Sequence, residues 1–241
     1  MDSVLEKWLS DFGPSTANTY FYALQKFKKN LGIDDLGEYL KKKPNVLTDF
    51  KTFAQSLKGK PPKTISTYTG AVKVFFADHD QDIPSKDLRK LRRRNIVPKR
   101  ARAITPDKIP TKAQLRRILN YMDIKGRAII LFLASTGCRI GETVKLKKKE
   151  LKLNDDPPKA EIRSLNTKGS ESGRTVYMSY EARDAIKDWL SVRGSLKKRS
   201  GEGSYESELV YPYLANNARG MWNRACRKAG LPDPVVLVRS T

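Results

Sequence analysis

Chemistry-bearing residues stand together in one short stretch, ASTGCRIGETVKL, residues 134–146. An apolar run, RAIILFLAST, halts at Gly137; Arg139 follows, and Glu142 comes one helical turn later. A helix is expected to end at the glycine and another to begin beyond it. Arg139 would then lie at a helix amino terminus, where free N–H groups and the dipole favour an anion. A guanidinium there can grip two oxygens of one phosphate, and Glu142 can hold that guanidinium in place. The competing reading is an exposed i,i+3 ion pair, worth only about 0.3 kcal/mol.

A second cation stands in NTKGSESGR. The segments AEIRSL and RTVYMS read as two strands, and the polar stretch between them as a hairpin tip. Lys168, with Gly169 and Gly173 beside it, would project beyond the sheet and could protonate a leaving oxygen. An ordinary turn lysine is the plain alternative in so lysine-rich a chain.

The elements that must position these groups read as mainly helical. SVLEKWLSDF is short and amphipathic, with Val4, Trp8 and Leu9 on one face. After Gly13-Pro14 comes a longer helix, with Ser15 as its expected N-cap and Gly32 as its C-cap. DDLGEYLKKK and NVLTDFKTFAQSL follow, then the breaker KGKPPK. TISTYTGAVKVF then repeats TANTYFYALQKF: Thr16 and Thr64, Thr19 and Thr67, Tyr20 and Tyr68, Ala23 and Ala71, Phe27 and Phe75 share a register. Thr16, Tyr20, Ala23 and Phe27 fall on one helical face. The repeat suggests two helix pairs about a pseudo-twofold, or two amphipathic helices that coincide. The second region is expected to open on a capped helix at Thr111, followed by the buried helix that ends at Gly137. After the strands, YEARDAIKDWLSVRG and NNARGMWNRACRKAG read as helices.

Between the two regions composition shifts. KDLRKLRRRNIVPKRARAITPDKIP carries Lys86, Arg89, Lys90, Arg92, Arg93, Arg94, Lys99, Arg100 and Arg102, with Pro98, Pro106 and Pro110 as punctuation. It reads as a basic interdomain linker. The whole chain holds 48 Lys+Arg against 26 Asp+Glu, a formal net charge of +22. A folded chain so basic repels itself, and a polyanion, nucleic acid first, is the partner that offsets this. No run reaches the length of a spanning helix. Cys138 and Cys226 are the only cysteines and His79 the only histidine, which excludes a disulfide framework and a Cys/His zinc site. A reducing, cytoplasmic setting fits.

Taken in order, the helical front, basic linker, arginine motif and hairpin lysine resemble the tyrosine recombinases, the family of phage integrases and chromosome-dimer recombinases. TGCRIGETVKL is similar to their first arginine box, with Arg139 and Glu142 in the arginine and acidic places. TKGSESGRTVYMS is similar to their hairpin box, with Lys168 in the place of the general-acid lysine. The resemblance implies a mainly α fold with a small antiparallel sheet in two domains. These are a helical core-binding domain over residues 1–93, a linker over 94–108 and a catalytic domain over 109–241. It implies duplex DNA as partner, a tetramer on paired sites, no metal and no cofactor. Lys63, Ser66, Lys90, Arg92, Arg93, Arg94, Lys99, Arg100, Arg102 and Arg174 are the expected DNA contacts. A tyrosine would attack a phosphodiester and form a phosphotyrosine while the 5′-oxygen leaves with a proton. The family's His-x-x-Arg box and late nucleophile have no counterpart here, and Tyr177, Tyr180, Tyr205, Tyr211 and Tyr213 precede the place expected for them. The expectation is therefore a recombinase cut short, which binds but does not cleave. A non-catalytic DNA-binding protein on the same scaffold, and a general basic nucleic-acid binder, remain the alternatives.

Overall fold

Helix α1 (Ser3–Ser10) starts at Asp2, whose carboxylate accepts the Leu5 N–H at 3.3 Å. The same carboxylate takes the Leu36 N–H at 2.8 Å and the Lys28 ammonium at 2.9 Å. One short acidic side chain thus caps a helix and joins three segments. This computed structural model describes residues 2–99, 109–163, 172–196 and 205–231. Its contacts divide into two units, Met1–Pro106 and Asp107–Thr241.

In the first unit α2 (Pro14–Leu31) begins at Gly13, not at the expected Ser15. Pro14 occupies the first helical position, where its fixed φ suits the helix and its missing N–H leaves no orphan donor. Gly32 closes the helix in the left-handed region, φ +66°, as its place in the sequence indicated. Next come α3 (Leu36–Lys41), α4 (Val46–Ser56) and α5 (Pro62–Ala77). Helix α5 packs against α2 and also begins with proline, so the sequence repeat extends to the helix starts. Ala23, Phe27, Ala71 and Phe75 are fully buried, while Tyr20 and Tyr68 pack at the margin of the same core. Phe27 meets Phe76 edge to face (5.5 Å), and Trp8 meets Phe75 likewise (5.2 Å). On α1 the core takes Leu5 and Trp8, with Val4 and Leu9 at its margin.

The basic stretch departs from its expected form. Residues Ser85–Arg93 are a helix, α6, with Leu88 and Leu91 buried in the first core. Val97 is buried there too. The apolar spacing of Leu88, Leu91 and Val97 is sparse, and the surrounding charge masks it in composition. Lys90, Arg92 and Arg93 therefore project from an anchored helix rather than from a loose connection.

The second unit opens on α7 (Lys112–Leu119), with the expected Thr111 cap. Thr111 Oγ1 accepts the Gln114 N–H at 3.2 Å, and the Gln114 side chain accepts the Thr111 N–H at 2.9 Å. Helix α8 (Ile124–Thr136) runs through the centre, with Ala128 through Leu133 buried all round. Helix α9 (Ile140–Thr143) follows, then a 3₁₀ turn, Lys148–Glu150. Strands β1 (Leu151–Lys152), β2 (Lys159–Ile162) and β3 (Arg174–Tyr177) form an antiparallel sheet in sequence order, with Ile162 opposite Arg174. Strand β1 is an addition to the two expected strands; its two residues are too few to show alternation. Helix α10 (Tyr180–Val192) packs on α8, and α11 (Ala215–Lys228) covers α7 and α8. The end of α10 is stapled to the following chain: Trp189 donates to the Val210 carbonyl at 2.8 Å, and buried Arg193 donates to that of Leu209. No helix among the described residues is long and apolar enough to cross a membrane.

Candidate functional site

Gly137 ends α8 at φ +67°, its N–H on the Leu133 carbonyl at 3.0 Å. That left-handed step turns the chain, buries Cys138 and makes Arg139 the N-cap of α9, as the sequence indicated. Glu142 reaches back: its Oε2 accepts the Arg139 N–H at 3.1 Å, and its Oε1 accepts Arg139 Nη1 at 3.3 Å. The side chain of Arg139 is 43% exposed, whereas that of Glu142 is 2% exposed. This is not the exposed ion pair of the plain reading. A carboxylate withdrawn from water must be compensated, and removal of a partner is costly.

Arg174 supplies a second partner. From the first position of β3 its Nη2 donates to Glu142 Oε2 at 2.6 Å and its Nη1 to Oε1 at 3.4 Å. Both guanidinium arms therefore meet both carboxylate oxygens. The Cys138 thiol lies 4.0 Å from Arg174 Nη2. Burial pushes the Glu142 carboxyl up, but hydrogen bonds from Arg174 and the Arg139 N–H, with the attraction of Arg174, outweigh it; the net shift is downward. The Glu142 partnership raises Arg174 in turn, and burial raises the Cys138 thiol. Two guanidinium groups thus share one carboxylate at neutral pH, which leaves the cluster with an excess positive charge.

The other expected site residues do not gather at this point. Lys168, Arg100 and Arg102 lie outside the described residues. Lys63 is exposed and Ser66 half-buried, both in the first two turns of α5. Lys90, Arg92 and Arg93 lie on α6, Arg94 is its C-cap, and Lys99 is exposed beyond it. Beside Arg174, a groove of about 430 Å³ is lined by Lys149, Glu150, Glu161, Arg163 and Thr175, with an Arg163–Glu150 ion pair in its wall. Two of the five later tyrosines are closed off. Tyr211 donates to the Ala128 carbonyl and Tyr213 to that of Lys125, each at 3.2 Å, and burial drives both phenols above their ordinary range. Tyr177 and Tyr180 are exposed, Tyr180 donating to Asp156, and Tyr205 has Lys125 over its ring.

Sequence reasoning missed the Arg174–Glu142 fork and the thiol beside it. Nothing in local spacing marks a contact between residues 32 positions apart; the one available signal was an arginine opening a strand of which Val176 alone faces the core.

The phage integrase family matches residues 108–236, more than half of the chain. Solved structures agree on the fold. A lambda integrase tetramer bound to a Holliday junction superimposes with a TM-score of 0.65 at 11% identity, over 96% of this chain and 64% of that one. XerH site-specific recombinase bound to difH substrate gives 0.61 at 17% identity, over 97% and 70%. The Tn1549 transposon integrase in complex with circular intermediate DNA gives 0.57 at 21%, over 79% and 68%. No curated protein matches the chain by sequence. At these identities the likeness is one of fold: helices around a small antiparallel sheet, as the sequence indicated.

Proposed function

Because this chain belongs to the phage integrase family, we propose that it binds duplex DNA as a clamp, each unit giving a basic surface, with Arg139 on a backbone phosphate. The observation that carries this reading is the buried Glu142 carboxylate held between Arg139 and Arg174. Such a carboxylate fixes a guanidinium in direction, and a directed fork suits phosphate oxygens better than a mobile point charge does. In strand transfer the same guanidinium would offset charge growing on the phosphoryl oxygens. Lys168 would protonate the 5′-oxygen as the new bond from a tyrosine oxygen to phosphorus forms. The net charge of +22 supports a polyanionic partner, and the tetramer seen for lambda integrase on a Holliday junction supports assembly on paired sites.

The 241 residues are expected to bind without cleaving. Tyr211 is buried and Tyr213 half-buried, each bonded to a backbone carbonyl, and the only histidine, His79, belongs to the first unit. The test is fluorescence anisotropy of a labelled duplex titrated with the chain over a range of salt. Phosphate contacts predict a linear fall of log affinity with log salt. Absence of binding at low salt, or binding indifferent to salt, would remove the clamp. A non-catalytic DNA-binding protein is the second reading; a covalent adduct on a nicked suicide duplex would exclude it, and would equally overturn the expectation that these residues do not cleave.

A further inference from the structure

We propose that Arg174 is a positioning residue, which fixes the Glu142 carboxylate and through it Arg139, so that the base of the β2–β3 hairpin and the Arg139 turn act as one body. The proposal rests on the reading of Arg139 as a phosphate-holding group, and it moves Arg174 from the DNA contacts to their support.

The geometry carries this in three steps. Helix α9 has four residues, too few to be stable alone, so its orientation depends on what it packs against. Its N-cap, Arg139, is tied to Glu142 twice, once by the backbone and once by the side chain. Glu142 in turn is tied to β3 by the closest contact in the cluster, 2.6 Å, and by the second arm at 3.4 Å. The chain of contacts therefore runs from the sheet, through one buried carboxylate, to the N-cap.

Charge argues the same way. A single arginine on a buried carboxylate would be held there as its counter-ion. With Arg174 spread over both oxygens, the carboxylate is compensated from the sheet side, and the cluster's excess positive charge remains for an anion. The buried thiol of Cys138 forms the wall beside Arg174. Raised by burial, it stays neutral and does not compete for the guanidinium.

Two measurements test the proposal on the 241-residue chain. The first uses no DNA: relaxation of the Arg139 Nε–Hε group by NMR in the wild type, Arg174→Ala and Arg174→Lys. We expect an ordered group in the wild type and a mobile one in both variants, since an ammonium cannot reproduce the fork. Equal order in all three would overturn the proposal. The second is a double-mutant cycle in duplex affinity. Arg174→Ala should cost about tenfold when Arg139 is present and less than about twofold in an Arg139→Ala background, the non-additivity of residues in one network. Equal losses in both backgrounds would make Arg174 a direct DNA contact and overturn its positioning role. Circular dichroism checks folding, and if Arg174→Ala does not fold, Arg174→Lys carries both arms. A chain that binds no duplex would defeat the DNA reading alone, and the NMR arm would still decide the role of Arg174.

Discussion

Glu142 accepts the backbone N–H of Arg139 at 3.1 Å while its other oxygen accepts that residue's guanidinium at 3.3 Å. One carboxylate thus caps the short helix that carries it and aims the side chain at its start. The first consequence is for stability. Glu142→Ala leaves the Arg139 N–H and both guanidinium groups short of an acceptor, and should destabilise the second unit by about 1–3 kcal/mol. Glu142→Gln keeps an acceptor and should cost less. Urea denaturation followed by Trp189 and Trp222 fluorescence measures both.

The same residue sets a pH dependence. Burial raises the Glu142 carboxyl, but its arginine and backbone partners lower it further, so its folded pKa lies below the ordinary carboxylate range. Its contribution is then fully present above that range and is lost as pH falls through the folded value. Stability of the wild type should decline with acid more steeply than that of Glu142→Gln. Parallel curves would show that Glu142 contributes nothing through its charge.

Gly137 offers a purely conformational test. Its φ is +67°, and an added Cβ would meet no atom within 4 Å. Gly137→Ala should therefore cost about 1 kcal/mol through left-handed strain alone. Gly137→Asn, which tolerates that region better, should cost less. Thermal unfolding midpoints rank the two.

The exposed arginines of α6 separate binding from folding. Arg92, Arg93 and Arg94 are exposed, whereas Leu88 and Leu91 are buried. Changing the three arginines to glutamine should leave the unfolding midpoint nearly unchanged and flatten the salt dependence of duplex binding by about one unit of slope per lost contact. Leu91→Asp should instead unfold the first unit. An unchanged slope in the triple variant would place these arginines away from the DNA.

Local signals were legible in the sequence, and non-local ones were not. The Thr111 capping box and the glycine stops at Gly32 and Gly137 depend on neighbours within a few residues, and each stands where the sequence put it. The turn from Gly137 to Glu142 was legible for the same reason. Ser15 lost the N-cap of α2 because the helix starts at Pro14, two positions earlier than a Ser15 cap requires. Residues 86–93 were read as part of the basic stretch that leads into the linker because five cations there outweigh two leucines in composition, although those leucines decide where the helix packs. The fork from Arg174 to Glu142 joins a strand to a helix start, and only the tertiary fold brings them together.

The central claim is that Arg139 holds a backbone phosphate. Its most direct test is the salt dependence of duplex affinity for the wild type and for Arg139→Ala, measured by anisotropy on the same labelled duplex. Loss of one phosphate contact should reduce the slope of log affinity against log salt by about one. Affinity at low salt should fall with it. A variant that binds more weakly with an unchanged slope, or binds as the wild type does, would contradict the claim.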